Sequence, residues 1–269
     1  NEGGDLLASG NLIVDQGGTL VALGVDGPGD FDIDGNVVID GASTTGLLVD
    51  GRLTVGGNFT QLATLSAESF APDANFITMV KFGGIHNVTF ATPGPAGSGS
   101  HFGGLELTGA AGLVLQTNND LWVEGVLVDT AFGSATILNS AAALRTLTAR
   151  DVNVQDITFD HMQLQLQKSG LPAAGANPMD NVTFTNFLTT EDQFLVDLPG
   201  QSGVFVWSNF VFTQLDTGGG DTGRYVVATD NDGGIPDVLS ILIGTNQRVA
   251  GELGYYVGLN GAIVHTFSP

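Results

Sequence analysis

Cysteine is absent from all 269 residues. That excludes a disulfide framework, thiolate catalysis and cysteine-based zinc sites together. Basic residues are nearly as scarce. Arg52, Lys81, Arg145, Arg150, Lys168, Arg224 and Arg248 stand against 28 acidic residues, for a net charge of −21, and no two of the seven are adjacent. Phosphate backbones and anionic surfaces are held by clustered Lys and Arg, so nucleic acid, anionic membranes and polyanionic polysaccharides are disfavoured as partners. No apolar run approaches the roughly 18–20 residues needed to span a bilayer, so no transmembrane segment is expected. The four histidines (His86, His101, His161, His265) have no metal-ligand spacing. Gly-x-Ser-x-Gly and Gly-x₄-Gly-Lys-Ser/Thr are missing as well. The chain opens Asn1-Glu2-Gly3-Gly4, without an initiator Met, as removal of an export signal or trimming would leave it.

What is abundant is glycine. Forty of them make about one residue in seven, with no period of three, roughly twice the usual share and suited to a fold with many tight turns. Internal repetition is the strongest signal. Gly10-Asn11-Leu12-Ile13-Val14-Asp15 recurs 25 residues later as Gly35-Asn36-Val37-Val38-Ile39-Asp40, and 22 after that, degraded, as Gly57-Asn58-Phe59-Thr60-Gln61. Short strands separated by Gly-containing turns at this period describe a solenoid. The leucine-rich frame is absent and a propeller blade needs about 40 residues, which leaves a parallel β-helix. Asn11, Asn36 and Asn58 are expected to form a corner ladder: Asn tolerates the left-handed backbone, and its amide can bond the Asn of the next coil.

The middle of the chain keeps the rhythm without the Asn. Strands near Leu105, Val126, Leu144 and Met162, taken as equivalent, give steps of 21, 18 and 18 residues. Alternation in Leu105-Glu106-Leu107, Val152-Asn153-Val154 and Met162-Gln163-Leu164-Gln165-Leu166 predicts one inward apolar face, with Gln163, Gln165 and Gln167 outside. Ala91–Ser100 (ATPGPAGSGS) and 168–180 interrupt the rhythm, the first as a flexible loop. His86-Asn87-Val88-Thr89-Phe90 echoes Asp180-Asn181-Val182-Thr183-Phe184, which suggests related coils. The expected fold is therefore all-β, a right-handed parallel β-helix over residues 1–187. Wider terminal coils and a C-terminal β-rich cap follow over 188–269, where Phe194, Phe205, Trp207, Phe210 and Phe212 crowd together.

The Gly-Asn-x-φ-x-Asp and Asn-Val-Thr-Phe elements resemble the β-helical regions of bacterial secreted surface and adhesin-like proteins, of pectin-lyase-like and filamentous-haemagglutinin-like architecture. The resemblance covers about residues 5–215 and implies export and a surface role. It transfers no catalytic residue. The polygalacturonase-type elements Asp-Asp, Gly-His-Gly and Arg-x-Lys are all missing. The most clustered carboxylates are Asp151, Asp156 and Asp160, beside His161, and a glycosidase would draw its pair from there. For calcium, Asp230, Asp232 and Asp237 offer carboxylates on a tight Gly turn. A second acidic run, Asp26, Asp30, Asp32 and Asp34, copies the start of an EF-hand loop but has Gly41 where the frame needs Glu.

Three functional classes stay open. The first is an extracellular structural protein of the cell surface that stacks end to end with copies of itself into a filament or sheath. The second is an adhesin module that binds a neutral surface glycan, and the third is a polysaccharide-degrading hydrolase or lyase. The absence of catalytic motifs puts the structural reading first and the enzyme last.

Overall fold

A computed structural model describes residues 5–23, 29–81, 83–107, 112–129, 134–141, 145–166 and 179–185. Beyond these it describes only strand backbone, at 196–199, 203–208, 211–212, 227–230, 238–243, 257–258 and 262–267. Alternation of apolar and polar residues over stretches too short for helices yields strands throughout. The first coil contributes β1 (Leu6–Ala8) and β2 (Leu12–Val14), and the second β3 (Gly29–Ile33) and β4 (Val37–Ile39). Next come β5 (Gly51–Val55) and β6 (Phe59–Gln61), β7 (Phe76–Val80) and β8 (Gly84–Phe90), then β9 (Gly104–Leu107) and β10 (Leu113–Thr117). Two long strands follow, β11 (Leu121–Asp129) and, after β12 (Ala135–Asn139), β13 (Arg145–Gln155). The stack continues through β14 (Ile157–Asp160), β15 (Met162–Leu166), β16 (Met179–Asp180) and β17 (Thr183–Thr185). Described last are β18 (Val196–Pro199), β19 (Gly203–Ser208), β20 (Val211–Phe212), β21 (Val227–Asp230), β22 (Val238–Ile243), β23 (Val257–Gly258) and β24 (Ala262–Phe267).

Every pairing among these strands is parallel. Each strand pairs with its counterpart one coil away, so the chain is an all-β parallel solenoid. Three faces can be followed down the stack. The first runs β1, β3, β5, β7, β9, the second halves of β11 and β13, and β16. The second runs from β2 through the even-numbered strands to β14, then β17 and β20. The third begins as the single bridges Ala22 to Leu48 and Phe102 to Val123. It widens into the first halves of β11 and β13, then β15, β18, β21 and β23. The strands beyond residue 188 thus continue the parallel stacking. Among the described residues no helix is long and apolar enough to cross a membrane.

The expected 18- and 21-residue steps do not hold. Leu105 pairs with Leu127, not Val126, and Met162 pairs with Arg145; Leu144 lies outside the described residues. The reason is phase. β11 buries Leu121, Val123, Gly125, Leu127 and Asp129, so Val126 and Val128 are apolar residues on the outward side. Where both phases are apolar, alternation cannot choose between them. Elsewhere it does: Met162 and Leu164 are buried while Gln163 and Gln165 are only half-buried, and Gln167 lies outside the described residues.

Inward residues stack in columns. Phe31, Leu53, Thr78, Leu105, Leu127 and Val152 form one, and Ile33, Val55, Val80, Leu107, Asp129 and Val154 the next. One layer of the core is aromatic. Phe59 lies between Phe70, Phe90 and Phe102 at ring-centroid distances of 4.9, 5.4 and 5.3 Å, all four fully or almost fully buried. Residues 91–100, expected as a flexible loop, fold back on themselves. The Ser100 N–H donates to Thr92 O (2.8 Å) and the Gly94 N–H to Ser100 O (3.1 Å). The buried His101 ring seats the loop from below, with Nδ1 3.2 Å from the Gly94 and Gly99 carbonyl oxygens and Nε2 3.0 Å from Pro72 O.

Candidate functional site

The repeated Gly-Asn corners lie between the first and second faces. Asn11 Oδ1 accepts from the Asn36 N–H, Asn36 Oδ1 from the Asn58 N–H, and Asn58 Oδ1 from the Asn87 N–H, each at 2.8 Å. The chain separations are 25, 22 and 29 residues. Side chain thus meets backbone at each step, with an added amide contact from Asn87 Nδ2 to Asn58 Oδ1 (3.3 Å). The motif's aspartate works in the same way one strand later, as Asp40 Oδ1 accepts from the Thr64 N–H at 3.0 Å. Asn87 extends the ladder with His86 standing in the glycine position; the His86 ring Nδ1 lies 2.9 Å from Gly57 O.

The left-handed backbone expected at Asn11, Asn36 and Asn58 occurs elsewhere. Among non-glycine residues it is found at Gln16, Asp156, His161 and Asn181. Asp156 and Asn181 lie at a displaced corner. Val88–Phe90 of β8 pair with β6 above, while Gly84–Asn87 pair with β10 below, so later coils turn about four residues earlier. Gly112 (φ 88°), Asp156 (φ 57°) and Asn181 (φ 53°) occupy the new corner, and Asn181 Nδ2 donates to Asp156 Oδ1 at 2.5 Å. The Asn-Val-Thr-Phe echo around Asn87 and Asn181 therefore belongs to two registers.

The carboxylates proposed for catalysis have separate partners. Asp151 lies 4.0 Å from Arg150, Asp156 accepts from Asn181, and Asp160 Oδ1 lies 2.7 Å from His161 Nδ1. Of the calcium candidates, Asp230 ends β21, and Asp232 and Asp237 lie outside the described residues. In the other acidic run, Asp32 and Asp34 share the ammonium of Lys81, with Asp34 Oδ1 at 3.0 Å. A cation is already supplied there by the chain. Hydrogen bonding to Asp32, with Asp34 adding to it, raises the Lys81 pKa above its ordinary 10.5. The stabilisation from this ion pair is fully present below pH 10.5 and is lost as pH rises through the raised value. Lys81→Met should therefore be less stable than the parent at pH 8, and the difference should shrink as pH is taken above 10.5, as followed by urea denaturation.

Two surfaces stand out from the acidic remainder. The first is the outermost described coil. Among the described residues β1 and β2 pair on one side only, and Leu6, whose partner Phe31 points inward, is 41% exposed. Outward on the same coil stand Leu7 (75% exposed), Ile13 (62%), Val21 and Leu23. The second is a groove of about 310 Å3 on the third face. It is lined by Pro93, Pro95, Asp120, Trp122, Thr148 and Gln165, together with neighbouring backbone. In the sequence Trp122 is marked only as an outward tryptophan in the alternating run Leu121-Trp122-Val123-Glu124. No family model, curated protein or solved structure matches the chain.

Proposed function

We infer that the chain is an exported structural protein of the bacterial cell surface, a β-helical building block that adds to copies of itself end to end. The observation that carries this reading is the first described coil, where β1 and β2 are paired on one side only among the described residues and apolar residues stand on both the inner and outer sides. A sheet edge of unpaired N–H and C=O groups is a template for another strand, and soluble proteins ordinarily blunt such edges with charge. Here the inward residues Leu6, Ala8, Leu12 and Val14 already follow the core columns of the coils beneath. A further coil laid on them would continue both the ladder and the core. Joining the two unlike ends of a solenoid is a head-to-tail contact, and one that does not close generates filaments. The net charge of −21 fits this role, because repulsion between flanks keeps filaments apart while the apolar ends associate.

Sedimentation velocity and electron microscopy at neutral pH and micromolar concentration test the reading. The parent chain should form linear oligomers, and Leu6→Asp should return it to monomer while the circular dichroism spectrum stays that of the folded parent. Monomers alone for the parent chain, across physiological salt, would sink it.

A further inference from the structure

We propose that the third-face groove is a binding site for a neutral oligosaccharide, with Trp122 as the platform on which a sugar ring stacks. The inference is independent of end-to-end assembly, since the groove lies on the flank of the stack.

The groove is a product of stacking. Its floor runs from Trp122 to Thr148 to Gln165, three outward positions on adjacent strands of β11, β13 and β15 in direct register. Asp120 lies at one side, and the Pro93-Gly94-Pro95 turn forms a wall above Trp122. Four successive passes of the chain therefore contribute. The volume, about 310 Å3, lies at the lower end of the range for small-molecule sites.

The parts are held in place before any ligand arrives. Trp122 Nε1–H donates to Glu124 Oε2 at 3.0 Å, which fixes the half-buried indole. Thr148 Oγ1 donates to Gln165 Oε1 at 3.2 Å. Asp120 Oδ1 accepts from the Thr146 N–H at 3.0 Å, tying the groove edge to the next coil. The proline wall is pinned by its internal hydrogen bonds and by His101. Such preorganisation lowers the ordering cost of binding.

Chemistry selects the ligand. The indole face is electron-rich and attracts the weakly positive C–H face of a pyranose, while hydroxyl, amide and carboxylate groups around it match sugar hydroxyls. No lysine or arginine lines the groove, and the chain carries a net −21, so uronates, sulfated sugars and phosphates are repelled. Both nearby acids accept hydrogen bonds from the protein, Asp120 from Thr146 and Glu124 from Trp122, which holds them in place as acceptors for sugar hydroxyls. An extended peptide has no strand edge to join, because β13 is paired on both sides by β11 and β15.

The test is titration of the intact chain with maltohexaose, cellohexaose and mannohexaose as neutral probes, oligogalacturonate as the acidic comparison and oligomeric glucosamine as the cationic one. Tryptophan fluorescence reports binding, and Trp207→Phe removes the second tryptophan's signal. At least one neutral hexasaccharide should bind with a dissociation constant below about 1 mM. Trp122→Ala should weaken it at least tenfold by calorimetry, and Gln165→Ala several-fold, with unchanged melting temperatures. Should Trp122→Ala fail to fold, Trp122→Phe, which keeps a smaller platform, should still bind more weakly than the parent. Absence of binding by every neutral probe, affinity unaltered in the Trp122 variants, or equal binding of the charged probes would each overturn the proposal.

Discussion

Replacing Phe59 with alanine is expected to lower the melting temperature by about 10 °C or more. The ring is buried to within 2% of its surface and meets three other phenylalanines, Phe70, Phe90 and Phe102, two of which also meet each other edge-on at 4.9 Å. Truncating a buried phenylalanine costs about 3–5 kcal/mol, as lost transfer energy plus the cavity left behind. The size of that second contribution depends on how far the walls can collapse. Here the walls are strands locked in register above and below, Val37 on one side and Val88 on the other, so collapse is limited and the upper part of that range applies. At roughly 2–4 °C per kcal/mol for a domain of this size, the loss is easily measured by circular dichroism. Phe59→Leu keeps most of the volume and should lose less than half as much. Equal melting temperatures for parent and Phe59→Ala would mean that the aromatic layer is not packed as described.

The second large effect concerns the repeated glycines, and it should differ sharply between positions that look identical in sequence. A Cβ on Gly57 would lie 2.6 Å from Asn36 Oδ1 and 2.8 Å from the Gly35 carbonyl, and one on Gly35 would lie 2.5 Å from both Asn11 Oδ1 and Gly10 O. The coils approach so closely there that a methyl group must push apart the ladder that joins them. Gly57→Ala should cost about 3 kcal/mol through overpacking and lost corner hydrogen bonds. Among the described residues a Cβ on Gly10 meets nothing within 4 Å. Gly10→Ala should therefore leave the isolated chain within about 0.5 kcal/mol of the parent, as surface substitutions usually do. If a second copy stacks on the first coil, however, Gly10 takes the place that Gly35 has in the coil beneath, and the same methyl should block linear assembly. Urea denaturation of the two variants and sedimentation of Gly10→Ala separate these effects. Equal destabilisation by both substitutions would contradict the corner geometry.

Those glycines also show what the sequence could reveal. The Gly-Asn corners were legible because both residues are required for local reasons, close approach at one and an acceptor at the other, and both recur on nearly constant intervals. The solenoid followed from that alone, and alternation sorted Leu164 from Gln165 correctly. Register was harder. Cross-coil partners lie as few as 17 residues apart, as for Thr148 and Gln165, and as many as 36, as for Gly203 and Leu239, so no fixed period aligns them. Valines on both phases of β11 hid its orientation. The groove was illegible for the same reason: Pro93, Trp122, Thr148 and Gln165 become neighbours only once four coils are placed in register. The loop at 91–100 read as flexible because its glycines and prolines say nothing of His101, whose ring holds it from the following segment.

The parallel pairing carries a mechanical consequence. In a parallel solenoid, backbone hydrogen bonds point along the stack, from one coil to the next, and each coil touches only its neighbours. Tension applied between the two ends therefore does not load all the bonds together, as it would if strands were sheared past one another. It loads the joint at the end coil, which peels away before the next is strained. A molecule built this way lengthens in steps, one coil at a time, and each step shortens the rod while leaving the remaining coils folded. Under a pull, the same joints that hold the stack together would let it yield by giving up its ends first.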